Sequence, residues 1–211
     1  MPQEKLAAPE LAAIDIQGVS RQSFILRGAV AAGTVYGLST VGPFVREALA
    51  QDGGGDVDIL NFALTLEYLE AAYYTRGLKQ AGLSGDAKAL ATEIRDNETA
   101  HVDALTKTIK RLGGKPVMAP GVDFGNALSN PKAFLKLAQT FEDTGVSAYN
   151  GAAPMIESPE VLGAAGSIVQ VEARHAAAIR LLNGNPITDG AFDKPLEQQD
   201  VLDAVKPFVK S

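Results

Sequence analysis

Beyond residue 56, apolar positions recur every three or four residues, the period of a helix that buries one face. Over 57–78 they are Ile59, Phe62, Ala63, Leu66, Leu69 and Tyr73, with Gly77 and Gly82 bracketing the end. Asp56 or Asp58 can cap this first helix. A second stripe, Leu90, Ile94, Leu105, Ile109 and Leu112, starts after Ser84 or Asp86 and stops at Gly113-Gly114. Asn130-Pro131 opens a third helix, with proline tolerated in the first turn. It carries Phe134, Leu135, Leu137, Ala138, Phe141, Val146 and Tyr149 and ends near Pro154. Ser158-Pro159 opens a fourth, which ends at Asn183-Gly184. The tail, 185–211, has room for one short helix around 197–205, between Pro195 and Pro207. The pattern predicts an all-α chain whose bundle occupies residues 57–184.

Loop lengths predict the topology. Short connections make helices one and two antiparallel neighbours, and likewise three and four. Residues 113–130, rich in Gly and Pro, are much longer. The second helix spans about 40 Å at 1.5 Å per residue, and an extended connection covers a similar distance at roughly 3.3 Å per residue. The third helix can therefore run parallel to the second. One long crossover between helices two and three is the ferritin-like form of an antiparallel four-helix bundle.

The first fifty residues read differently. Residues 20–27 are Ser-Arg-Gln-Ser-Phe-Ile-Leu-Arg, followed by a Gly- and Ala-rich apolar stretch over 28–45 and then Ala48-Leu49-Ala50. This resembles a twin-arginine export signal with a small-x-small cleavage pattern, except that Gln22 stands where a second Arg belongs. The resemblance implies an extracytoplasmic or periplasmic destination. The alternative is a retained segment that packs or assists assembly in a cytoplasmic protein. The stretch is short and Gly-rich for a membrane span. Residues 51–56, with Gly53-Gly54-Gly55, read as a linker.

Composition narrows the chemistry. The net charge is −6 and basic residues are scattered, which excludes the concentrated basic face a nucleic acid needs. The chain has no cysteine, so disulfides, thiolate zinc sites and iron–sulfur clusters are excluded. A metal would have to be held by carboxylates and by the only two histidines.

Each histidine follows a glutamate by three residues: Glu98-x-x-His101 and Glu172-x-x-His175. Residues at i and i+3 share a helix face, so each pair can offer a carboxylate and an imidazole to one ion. The other two helices each offer one carboxylate, Glu67 and Glu142, and each has a tyrosine seven residues on, Tyr74 and Tyr149. Glu67 to Glu98 is 31 residues and Glu142 to Glu172 is 30, so the two hairpins read as a degenerate repeat. Four buried carboxylates without counter-charge would be prohibitively unstable, and two divalent cations neutralise them. Oxygen-rich sites with one imidazole per ion suit iron or manganese. Tyr74 and Tyr149 either bond a ligand or serve as electron or proton donors, or they simply pack. Glu70 and Asp143 read as solvent-facing helix charges, and Asp103 points to another face.

At this point the chain resembles the ferritin-like superfamily of di-iron and di-manganese carboxylate proteins. The stretch from Leu60 through Glu67 to Tyr74 is most similar to the branch that includes desiccation-related proteins. That resemblance implies that Glu67 and Glu142 are terminal ligands, that Glu98 and Glu172 bridge two metals, and that His101 and His175 bind one metal each. Where bacterioferritins carry a haem-ligating Met this chain has Thr99, so no haem is expected. Rubrerythrins add a Cys-rich domain that this chain cannot have. Where many relatives have an Asp that orients each imidazole, this chain has Asn97 and Val171.

The resemblance leaves three functions open. Loaded with iron, the site would oxidise Fe(II) with dioxygen. Loaded with manganese, it would dismutate hydrogen peroxide as manganese catalases do. The third is a stress-related or structural protein whose metal stabilises the fold. A homo-oligomer is expected from superfamily habit, and a storage cage is not, because the tail is interrupted by proline.

Overall fold

The computed structural model describes residues 55–210. The export-like stretch 1–50 and most of the 51–56 linker lie outside the described residues. Four long helices form the body: α1 (Asp56–Gln80), α2 (Gly85–Arg111), α3 (Pro131–Ala152) and α4 (Pro159–Leu182), followed by a short α5 (Gln198–Val205). Three single-turn 3₁₀ segments interrupt the connections, at Gly125–Leu128, Ala153–Met155 and Lys206–Phe208. Among the described residues no helix is long and apolar enough to cross a membrane.

Local chemistry sets most helix ends. Asn130 caps α3 by accepting from the Ala133 amide at 2.9 Å, with Pro131 in the first turn. Ser158 does the same for α4 through the Val161 amide. Gly113 and Gly184, both at positive φ, let the chain turn away after α2 and α4. The start of α1 differs from the expectation. Its N-cap is Gly55, with no side-chain cap. Asp56 instead accepts from the Glu157 and Ser158 amides, at 2.8 and 2.9 Å, and ties the start of α1 to the α3–α4 turn.

α1 packs chiefly on α2, and α3 on α4; α1 also meets α3, and α2 meets α4. Residue 67 bonds residue 149 and residue 74 bonds residue 142, so α1 and α3 run antiparallel. With both hairpins antiparallel, α3 is parallel to α2, as the long crossover predicts.

The crossover lies along α1. Asn61, fully buried, accepts from the Val117 amide at 2.9 Å and donates to the Lys115 carbonyl at 3.2 Å. Further along, Arg76 donates to the Val122 carbonyl and lies over the Phe124 ring. The tail returns to the crossover: Val122 and Val209 form an isolated antiparallel β-bridge. Two apolar clusters fill the interior. One is built around Tyr73, Phe134, Phe141 and Ile179, the other around Leu60, Leu64, Ile109 and Val161. The glutamates and histidines of the sequence motifs lie between them.

Candidate metal centre

The four long helices bring Glu67, Glu98, His101, Glu142, Glu172 and His175 to one place. All six are buried, the four glutamates at 1% exposure or less. They form two overlapping groups able to hold a cation. One is Glu67, Glu98, His101 and Glu172; the other is Glu98, Glu142, Glu172 and His175.

Glu98 and Glu172 belong to both groups, and each divides its two oxygens between them. Glu98 places Oε2 3.2 Å from His101 Nδ1 and Oε1 3.0 Å from His175 Nδ1. Glu172 places Oε1 3.0 Å from His101 Nδ1 and Oε2 3.8 Å from His175 Nδ1. Glu67 completes the first group, with Oε2 3.2 Å from His101 Nδ1. Glu142 completes the second, with Oε2 3.4 Å from His175 Nδ1. Helix α2 contributes Glu98 and His101 one turn apart, and α4 contributes Glu172 and His175 in the same way, which is why the i,i+3 spacing matters.

Several of these atoms are close without being hydrogen-bonded. Glu98 Oε1, Glu142 Oε2, both Glu172 oxygens and His175 Nδ1 are buried with no hydrogen-bond partner. Each such group costs roughly 1–3 kcal/mol or more if left so. Oxygen atoms and imidazole nitrogens gathered in this way are the donor set of a divalent transition-metal ion. The residues present fit two such ions.

Charge in the cluster is held by protons. Burial alone would lower the histidine pKa values, but the surrounding carboxylates outweigh it. Glu172, Glu67 and Glu98 push His101 up to about 12, and Glu142, Glu172 and Glu98 push His175 up to about 12. Burial drives Glu67 well above the usual carboxylate range, reinforced by the charge of Glu172. Burial likewise holds Glu142 up to about 8, even against the opposing pull of the nearby His175. Glu98 overcomes its burial through both histidines and is held down to about 2. Cations would displace these protons.

The tyrosines reach across the repeat. Tyr149 Oη donates to Glu67 Oε1 at 2.5 Å, and Tyr74 Oη donates to Glu142 Oε1. Each phenol therefore serves the glutamate of the other hairpin. Burial, and then the charge of the bonded glutamate, pushes both phenol pKa values up, so both remain donors.

Two features differ from expectation or were not foreseen. Glu70, read as a solvent-facing charge, is buried at 4% exposure. Its signal in the sequence was its place one turn after Glu67, on the same face. Asn97 lies with its amide nitrogen 3.0 Å from His175 Nε2, so α2 holds the imidazole of α4. Val171, the matching position on α4, offers His101 no polar group. Asp143 turns away from the cluster to pair with Arg180 at 2.7 Å, and Asp103 is exposed.

No curated protein matches the chain closely enough to be reported as a relative. The family model for a ferritin-like domain matches residues 55–185, more than half of the chain. It covers all four long helices and every residue of the cluster, and this protein therefore belongs to the ferritin-like domain family.

Proposed function

We propose that the protein is a di-metal oxidoreductase of the ferroxidase type, in which Fe(II) is the substrate and dioxygen the electron acceptor. The observation that carries this reading is the division of the Glu98 and Glu172 oxygens between His101 and His175. It sets two cation positions side by side, sharing two carboxylates. Glu98 and Glu172 would bridge, Glu67 and Glu142 would each bind one ion from outside, and His101 and His175 would take one ion each through Nδ1. Bound there, two redox-active ions supply two electrons at once, so that dioxygen and two protons become hydrogen peroxide while two Fe(II) become two Fe(III).

The chain's own residues do the remaining work. Four carboxylates match the charge of two divalent ions in a site that water barely reaches. Tyr149 and Tyr74 fix the outer carboxylates Glu67 and Glu142 in one rotamer each. Asn97 steadies His175. With Nδ1 on an ion, His175 Nε2 carries the proton, and the Asn97 amide turns its oxygen to accept it.

Anaerobic loading with Fe(II), then exposure to oxygen, tests the reading. Oxygen uptake in proportion to iron, with growth of near-ultraviolet Fe(III) absorbance, is the expected result. Glu98→Ala and Glu172→Ala should each lose two-ion occupancy, and full retention of both ions would overturn the bridging roles. No iron-dependent oxygen uptake, together with fast oxygen release from peroxide by the manganese-loaded chain, would replace ferroxidase with catalase chemistry.

A further inference from the structure

The repeat that relates the two hairpins breaks at one pair of buried positions. Three residues after Glu67 stands Glu70, and three residues after Glu142 stands Gly145. The two meet where α1 and α3 face each other. A Cβ on residue 145 would lie 3.3 Å from Glu70 Oε1 and 3.6 Å from Glu172 Oε2. A side chain at 145 would crowd the Glu70 carboxylate, and here it is Glu70 that fills the space.

Glu70 reaches toward one half of the centre. The Glu172 oxygen beside the vacated Cβ position is Oε2, the one directed to His175 rather than His101. Burial, then the charges of Glu172, Glu98, Glu142 and Glu67, pushes the Glu70 pKa well up. The imidazoles are unequal in the same sense: Asn97 holds His175, while Val171 leaves His101 without the equivalent contact. Both asymmetries favour the position among Glu98, Glu142, Glu172 and His175. An added carboxylate attracts a cation strongly in a low-dielectric interior, and a pre-oriented imidazole gives up less freedom on binding.

We propose that Glu70 is a fifth carboxylate of the centre, which makes the two cation positions unequal, so that the position beside His175 fills first. The proposal rests on the two-ion reading above. The divalent ion there would be held by Glu70 directly or through one water, and the position beside His101 would fill second.

Calorimetric titration of the metal-free full chain with Co(II) tests this without reference to activity. The expected isotherm has two steps, the first tighter by about tenfold or more. Glu70→Gln should bring the steps to within about threefold by weakening the first. Gly145→Ala keeps the charge but crowds the Glu70 carboxylate, and should narrow the gap in the same direction. Glu67→Gln should retain the tight step and Glu142→Gln should lose it. Circular dichroism checks that each variant is folded, and if Glu70→Gln is not, Gly145→Ala decides. Two equal steps in the natural chain, or a gap unchanged by both substitutions, would overturn the inference while leaving two-ion binding intact. Failure to bind Co(II) at all would overturn the two-ion reading itself.

Discussion

Tyr149 Oη donates to Glu67 Oε1 at 2.5 Å, from the last turns of α3 to the middle of α1. The bond links the two hairpins at the level of the centre, and Tyr74 makes the reciprocal bond to Glu142. Removing the donor leaves a buried carboxylate oxygen without its partner, which costs about 1–3 kcal/mol. Tyr149→Phe should therefore lower the melting temperature by about 5 °C for a domain of this size. Tyr68→Phe, at a half-buried position away from the cluster, serves as the control. Equal melting temperatures for the two variants would show that the phenol contributes no more than its ring.

The metal-free protein should be more stable in mild acid than in mild alkali. Glu142 is held up to about 8, chiefly by burial, and the carboxylates around His101 and His175 hold both up to about 12. All three bind protons more tightly folded than unfolded, so stability falls as pH rises from the unfolded values. The fall begins near pH 4.5 for Glu142 and near 6.5 for the histidines. Glu98 works the other way: its contribution is full above about pH 4.5 and is lost as pH falls toward 2. Chelator-treated protein should therefore melt higher at about pH 5.5 than at about pH 8.5, by several degrees. Loading with cations, which replace the protons, should flatten or reverse the slope. A melting temperature that rises with pH in the metal-free chain would contradict this account.

Gly77 packs directly against the first apolar cluster. A Cβ there would lie 2.1 and 2.6 Å from carbons of the Phe134 ring. That ring cannot retreat easily, because it stacks on Tyr73 at 4.8 Å and Tyr73 Oη donates to the Phe134 carbonyl at 2.7 Å. Gly77→Ala should cost about 1–3 kcal/mol through overpacking, more than the roughly 1 kcal/mol of helix propensity it gains. Gly163→Ala in α4, where a Cβ meets nothing within 4 Å, should instead stabilise by up to about 1 kcal/mol. Urea unfolding of the pair gives the comparison, and stabilisation by both would show that Phe134 has room to move.

Arg180 anchors the segment after α4. Its guanidinium is buried, bonds Asp143 Oδ1 at 2.7 Å, and takes both oxygens of the exposed Asp189, at 2.5 and 2.7 Å. Removal of the guanidinium releases that segment while the four-helix body persists. Arg180→Ala should speed chymotryptic cleavage after the exposed Phe192 several-fold, with far less effect on helix content. An unchanged cleavage rate would mean that the Leu196 amide bond to the Ser147 carbonyl holds the tail by itself.

Much of the molecule can be read along the chain because its determinants are local. Apolar period, capping by Asn130 and Ser158, and glycine stops depend on neighbours within a turn or two. So does the i,i+3 spacing that puts Glu98 with His101 and Glu172 with His175 on one face each. Spacing tells which residues share a face, but not what that face meets. Glu70 and Asp143 each lie within one turn of a cluster glutamate in sequence. Yet Glu70 enters the space that Gly145 leaves, while Asp143 turns to Arg180. Asp56 looks like a cap for its own helix and binds the α3–α4 turn instead. Tyr74 and Tyr149 follow Glu67 and Glu142 along one helix each, but bond the glutamate of the other. These outcomes depend on which helices are neighbours, how they are staggered and where a missing side chain leaves room. Burial against a partner helix settles them, and that exists only once the bundle has closed.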